Sequence, residues 1–150
     1  MDLTNVPSGT PTSVVQTLEN HLSVADSILA RDKRLLPMLM TQGSRKKDNN
    51  LFQLRPQRGN DDEHKLLKAA TSVLRDIDYE IALLSYSTQI MQNGSASSDA
   101  LKTYIFDKNG QTFVFYTLYE IKGFLKKKVT FQKSMFGHWR HGLRQGGCIV

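Results

Sequence analysis

The chain has 150 residues, 39% of them hydrophobic and 23% charged, with 20 lysines and arginines against 14 acids for a net charge of +6. This length and composition exclude a disordered chain and predict one globular domain with a single sizeable core. The lone cysteine, Cys148, excludes an intramolecular disulfide and a cysteine-built zinc site, and no apolar run approaches the roughly 20 residues that span a bilayer as a helix. With no basic-then-apolar leader, the expected setting is intracellular, cytoplasmic or nuclear. The charge is unevenly placed: −1 over residues 1–43, +4 over 44–60, −4 over 61–101 and +7 over 102–150. Such asymmetry suits a polyanionic partner, or simply a basic surface beside an acidic one.

Residues 1–9 read as a flexible N-terminus. Thr10-Pro11 opens a helix, since proline is tolerated at the first helical position. The predicted helix covers about residues 11–36, with a heptad seam of Val15, Leu18, Leu22, Ala25 and Leu29, and Pro37 ends it. Residues 41–60 form a basic loop carrying Arg45, Lys46 and Lys47. Its apolar island, Leu51, Phe52 and Leu54, is expected to touch the core or a partner.

The strongest periodicity follows. From Asn60 or Asp61 as cap, Leu67, Ala70, Leu74, Ile77, Ile81, Leu84, Thr88 and Met91 keep heptad spacing up to Asn93-Gly94, predicting a second helix over about 61–92. Additional apolar residues beside both seams, Val14, Ile28 and Leu35 in one and Leu66 and Val73 in the other, widen the faces beyond a two-stranded coil. Two long amphipathic helices in a hairpin or a dimeric bundle satisfy that pattern.

The period then changes. Asn109-Gly110 between alternating apolar residues predicts a β-hairpin over about 102–117, pairing Phe106 with Phe113, Ile105 with Val114 and Tyr104 with Phe115. Tyr104, Phe106, Phe113 and Phe115 would then share one face. Residues 118–128 suit either a short helix or a continuing strand, and Val129, Thr130 and Phe131 suit a third strand. Residues 133–150 read as a basic, partly ordered tail. The fold class expected is therefore α+β: one domain over 10–132, two long helices followed by a small antiparallel sheet.

Leu18, Leu22, Leu29, Leu74, Ile77, Ile81 and Leu84 are the expected helix interface, serving either an internal core or association with a second copy or another helical protein. Arg45, Lys46, Lys47, Lys126, Lys127, Lys128, Lys133, Trp139, Arg140 and Arg144 are candidates for a polyanion, because cations neutralise phosphates and interleaved aromatics stack on unpaired bases. The simpler reading makes these lysines the solvated edge of a sheet. His138, His141 and Cys148 do not have the spacing of a zinc module, so neither metal nor cofactor is expected. Asp61, Asp62 and Glu63 are explained by helix capping, and no catalytic motif occurs, so no catalytic residue is expected. Asn93-Gly94-Ser95 matches a glycosylation acceptor, which an intracellular chain does not use. The leading expectation is a non-enzymatic assembly or adaptor protein. An RNA- or DNA-binding regulatory or viral accessory protein comes next, and a peripheral membrane protein last.

Overall fold

A computed structural model describes residues 10–55, 62–91, 97–132, 134–139 and 148–149. Among them are two α-helices, α1 (Thr12–Asp32) and α2 (Asp62–Leu74), and eight strands: β1 (Met38–Gln42), β2 (Asn50–Gln53), β3 (Ile81–Met91), β4 (Ser97–Asp107), β5 (Thr112–Lys122), β6 (Lys128–Phe131), β7 (Met135–Trp139) and β8 (Cys148–Ile149). The strands form one antiparallel sheet in the order β2-β1-β3-β4-β5-β7-β8, with β6 also on β5. The sheet curls into a half-barrel: the Tyr119 hydroxyl on β5 reaches across β4 to Ser87 Oγ on β3, 3.0 Å away.

The helices lie on opposite faces of this sheet. Val14, Leu18, Leu22, Ala25 and Leu29 of α1 pack on Met38, Leu83, Leu101, Ile105, Phe115, Tyr119 and Val129. Leu66, Leu67, Ala70 and Leu74 of α2 pack on Leu39, Ala82, Leu84, Tyr104, Val114 and Tyr116. The alternation of side chains along β3, β4 and β5 thus divides their residues between two cores. Ser87 closes the α1 side. The Leu35 amide donates to Ser87 Oγ and the Ser87 amide to the Leu35 carbonyl, each at 2.8 Å.

This architecture corrects the expected one. There is no pair of long helices, no helical bundle and no coiled coil among the described residues, and the sheet is the largest element. The second helix stops at Leu74, where amide donations from Asp76 to Val73 (3.2 Å) and from Ile77 to Leu74 (3.4 Å) tighten its last turn. Residues 81–91, assigned to that helix, form β3 instead. β3 is covered on both faces and carries Ile81, Ala82, Leu83, Leu84, Ile90 and Met91 at its two ends, so heptad spacing finds matches in it by chance. Leu74, Ile77, Ile81 and Leu84 consequently do not share a helix face: Leu74 ends α2, Ile77 lies in the connection, and Ile81 and Leu84 point to opposite faces of β3.

The first helix ends at Asp32, not Leu36, because Lys33 adopts a left-handed cap (φ 67°) and donates its amide to the Leu29 carbonyl at 2.8 Å. The basic loop contains β2, and Phe52 and Leu54 pack against the α2-side core as expected of the island, while Leu51 is exposed. The hairpin at Asn109-Gly110 exists, extended to β4 and β5, but its register differs by one residue. Phe106 pairs with Thr112, Ile105 with Phe113 and Tyr104 with Val114. Asp107 is responsible. Its Oδ1 accepts the amides of Asn109 (2.9 Å) and Gln111 (2.8 Å), and its amide donates to the Gln111 carbonyl (3.0 Å). That closes a three-residue loop with left-handed geometry only at Gly110 (φ 84°). A slip of one residue exchanges faces, so Phe113 and Phe115 join Ile105 on the α1 side and leave Tyr104 and Phe106 on the other.

Residues 118–122 continue β5, and β6 is the third strand foreseen at 129–131. The β5–β6 and β5–β7 registers differ by one residue, as at a β-bulge, and the Thr117 and Ser134 hydroxyls meet there at 2.6 Å. The expected caps at Asn60 or Asp61 and at Asn93-Gly94, the flexible 1–9 segment, and Lys133, Arg140, His141 and Arg144 lie outside the described residues. No helix among the described residues is long and apolar enough to cross a membrane.

Candidate interaction surface at the hairpin tip

β5 and β6 are joined by residues 123–127, and this tip is the most conspicuous exposed feature of the described surface. Gly123 adopts φ 116°, and a Cβ there would lie 2.1 Å from the Lys126 carbonyl oxygen, so the tight closure requires glycine. The closure leaves Phe124 and Leu125 outside the sheet, 91% and 92% exposed. Lys126, Lys127 and Lys128 follow directly and are all exposed. At the root of the tip Lys122 pairs opposite Lys128, an arrangement of like charges that disfavours the hairpin. Glu120 relieves it partly, with its carboxylate 3.3 Å from Lys122 Nζ, and both groups are exposed. Behind the tip, Ile121, Val129 and Phe131 pack into the α1-side core and fix its direction.

The other expected cationic residues are not gathered here. Arg45, Lys46 and Lys47 lie beyond the end of β1, the end of the sheet where β5 begins. Strands rise about 3.3 Å per residue, so the length of β5 alone sets the two clusters about 30 Å apart. Arg45 is also committed. Its Nε bonds Asp48 at 2.8 Å and its Nη2 lies 3.7 Å from Asp78, so these carboxylates hold the guanidinium pKa above its ordinary value. Arg45 clasps its own loop, whereas Lys46 and Lys47 are exposed. Trp139 belongs to β7, and Lys133, Arg140 and Arg144 are outside the described residues. Of the interleaved aromatics whose side chains are described, Phe131 is part of the core packing and Phe124 is exposed beside the lysines.

The expected helix interface is consumed internally. Leu18, Leu22, Leu29, Leu74 and Leu84 are buried in the two cores, and Ile81 packs against the α1-side core. Leu18, Leu22, Leu29 and Leu84 are spent on these cores, while Leu74 and Ile81 also line surface grooves.

Glu63, expected only to cap a helix, instead belongs to a largely buried polar cluster, its carboxylate bonded to Lys102 and Tyr86. Lys102, its side chain 8% exposed, ion-pairs with Glu63 at the start of α2, and its Nζ lies 5.2 Å from the ring centroids of both Tyr104 and Tyr116. Tyr86 donates its hydroxyl to the same Glu63 carboxylate at 2.9 Å. Burial opposes the Glu63 charge, but the Lys102 and tyrosine contacts prevail and hold its carboxyl below the ordinary carboxylate value. Burial first, and Glu63 second, push the Tyr86 hydroxyl upward. The Glu63–Lys102 and Glu63–Tyr86 contacts pin α2 to the sheet. The sequence signal of the cluster was a lysine on the same face of one strand as Ala100 and Tyr104.

Between α2 and the β4–β5 turn runs a groove of about 610 Å³ floored by Leu67, Leu74 and Phe106, with exposed His64, Lys68 and Arg75 along it. Among the described residues no three His, Cys, Asp or Glu side chains converge as a metal site. Comparison with protein families, with curated proteins and with solved structures found no match for this chain.

Proposed function

We propose that this is a non-enzymatic binding protein that attaches to an anionic membrane surface through the β5–β6 tip. The observation that carries the reading is the adjacent, almost fully exposed Phe124 and Leu125 followed by three exposed lysines. Transfer of two such side chains out of water contributes about 1.5 to 3 kcal/mol each, and each lysine near an anionic bilayer about 1 kcal/mol. Those magnitudes suit reversible peripheral attachment. Nucleic acid is the weaker match, since at the tip one exposed ring beside an aliphatic residue makes a poor stacking platform and the described basic clusters do not line one track. A five-residue projection is also small against the roughly 800 Å² per partner of a stable protein interface.

Vesicle co-sedimentation tests the reading. Binding is expected to vesicles containing phosphatidylserine but not to pure phosphatidylcholine, and to fall at least tenfold in Phe124→Ser/Leu125→Ser and in the variant with Lys126, Lys127 and Lys128 changed to Ala. Equal binding by wild type and variants, or salt-sensitive binding to single-stranded RNA or DNA without vesicle binding, would overturn it.

A second reading, self-association, has one specific support. β2 is an edge strand of the described sheet, and Leu51 on it is two-thirds exposed, so edge-to-edge pairing of two copies is open to this chain.

A further inference from the structure

His21 sits midway along α1, 2% exposed, and neither ring nitrogen has a hydrogen-bond partner. It borders a crevice of about 200 Å³ between α1 and the β1–β3 pair. A neutral imidazole carries one donor and one acceptor, and leaving a buried polar group unpaired costs about 1 to 3 kcal/mol. The hydroxyl proton of Thr17, one turn before His21 on the same helix, is already committed, because Thr17 Oγ1 donates to the Ser13 carbonyl at 2.7 Å. We propose that this crevice binds a small uncharged ring compound bearing one hydroxyl, of the phenol class, with His21 as its polar contact.

Three properties of the walls select that class. Val24, Met40, Ile81 and Leu83 supply apolar surface, and the thioether of Met40 suits contact with a ring. The lining includes no Asp, Glu, Lys or Arg, and burial lowers the His21 pKa to about 4, so the imidazole is neutral near pH 7 and an ionic ligand would enter without a counter-charge. An apolar cavity of about 150 Å³ accommodates benzene, so a volume somewhat larger takes one six-membered ring with a small substituent. Asn20 and Gln42, both exposed, mark the mouth, and no described element covers it.

Titration of the full chain by amide-resolved NMR tests this, with phenol, toluene and benzoate as probes. Phenol is expected to shift amides in residues 20–24, 40–42 and 81–83 and to bind at least tenfold more tightly than toluene, while benzoate leaves them unmoved. In His21→Leu the preference for phenol over toluene is expected to shrink below about twofold. Equal affinity for phenol and toluene in the wild-type chain, shifts centred elsewhere, or no shift at any soluble concentration of phenol would overturn the proposal, the last outcome leaving water as the occupant. The wild-type comparison decides even where His21→Leu does not fold.

Discussion

Against α1 the sheet presents mainly leucine, isoleucine and phenylalanine, with Tyr119 bonded to Ser87 at one edge, and the one titratable side chain in the buried seam of that helix, His21, is neutral and unpaired. Against α2 it presents tyrosines and a lysine, and the helix answers with Glu63. The lengths differ correspondingly, 21 residues against 13. A helix of 13 residues is marginal by itself in water and depends on what it packs against. A long apolar seam suffices to hold α1, whereas α2 adds an ion pair at its first turn. One side of the molecule is therefore governed by packing and the other partly by charge.

The largest expected effect breaks the packing side. Leu22→Ala removes a side chain 1% exposed, and the cavity should cost about 2 to 5 kcal/mol, read as a lowered urea midpoint. Next comes acid. Because the folded pKa of His21 lies below its ordinary 6.5, its contribution is intact above that pH, declines as pH falls and levels off near 4, for a total of about 3 kcal/mol. The lowered Glu63 carboxyl acts in the same direction but only below its ordinary 4.5. Between pH 6.5 and 5 the His21 contribution declines before that of Glu63 does, so the difference in urea midpoint between pH 7 and pH 5 should shrink in His21→Leu. An unchanged difference would place the acid sensitivity elsewhere. The smallest effect sharpens the charge side. Glu63→Gln strands Lys102 in the protein, and because Glu63 is 40% exposed to water the expected loss is about 2 kcal/mol, below the range for a fully buried pair. Glu63→Leu combined with Lys102→Met should recover most of that loss.

What the residues disclosed by themselves tracks how far each signal was local. Thr10-Pro11 and the leucine seam mark the start of α1 to within a residue or two, although Pro11 sits at the cap, not at the first helical position, and no side chain bonds there. Asn109-Gly110 likewise marks a hairpin, because such signals act over a handful of positions. The register of that hairpin was missed because Asp107 bonds its own loop, which lengthens the turn by one residue. β3 was missed because periodicity does not separate a strand buried on both faces from a helix; its runs of Tyr, Ser and Thr were the better guide. Of the surface, the lysine run was visible in the sequence. The exposure of Phe124 and Leu125 was not, since it follows from the closure at Gly123 and the anchoring of β5 and β6 on α1.

That same placement of α1 gives the chain a history during its own synthesis. The helix comes first, yet Leu83, Leu101, Ile105, Phe115 and Val129, which cover it, follow about 60 to 110 residues later. At roughly 5 to 20 residues per second, the leucines of the first helix leave the ribosome several seconds before their sheet exists. During that interval the most apolar helix face of the protein is uncovered, so a nascent chain stalled before β3 is the form most exposed to aggregation and most suited to capture by a chaperone.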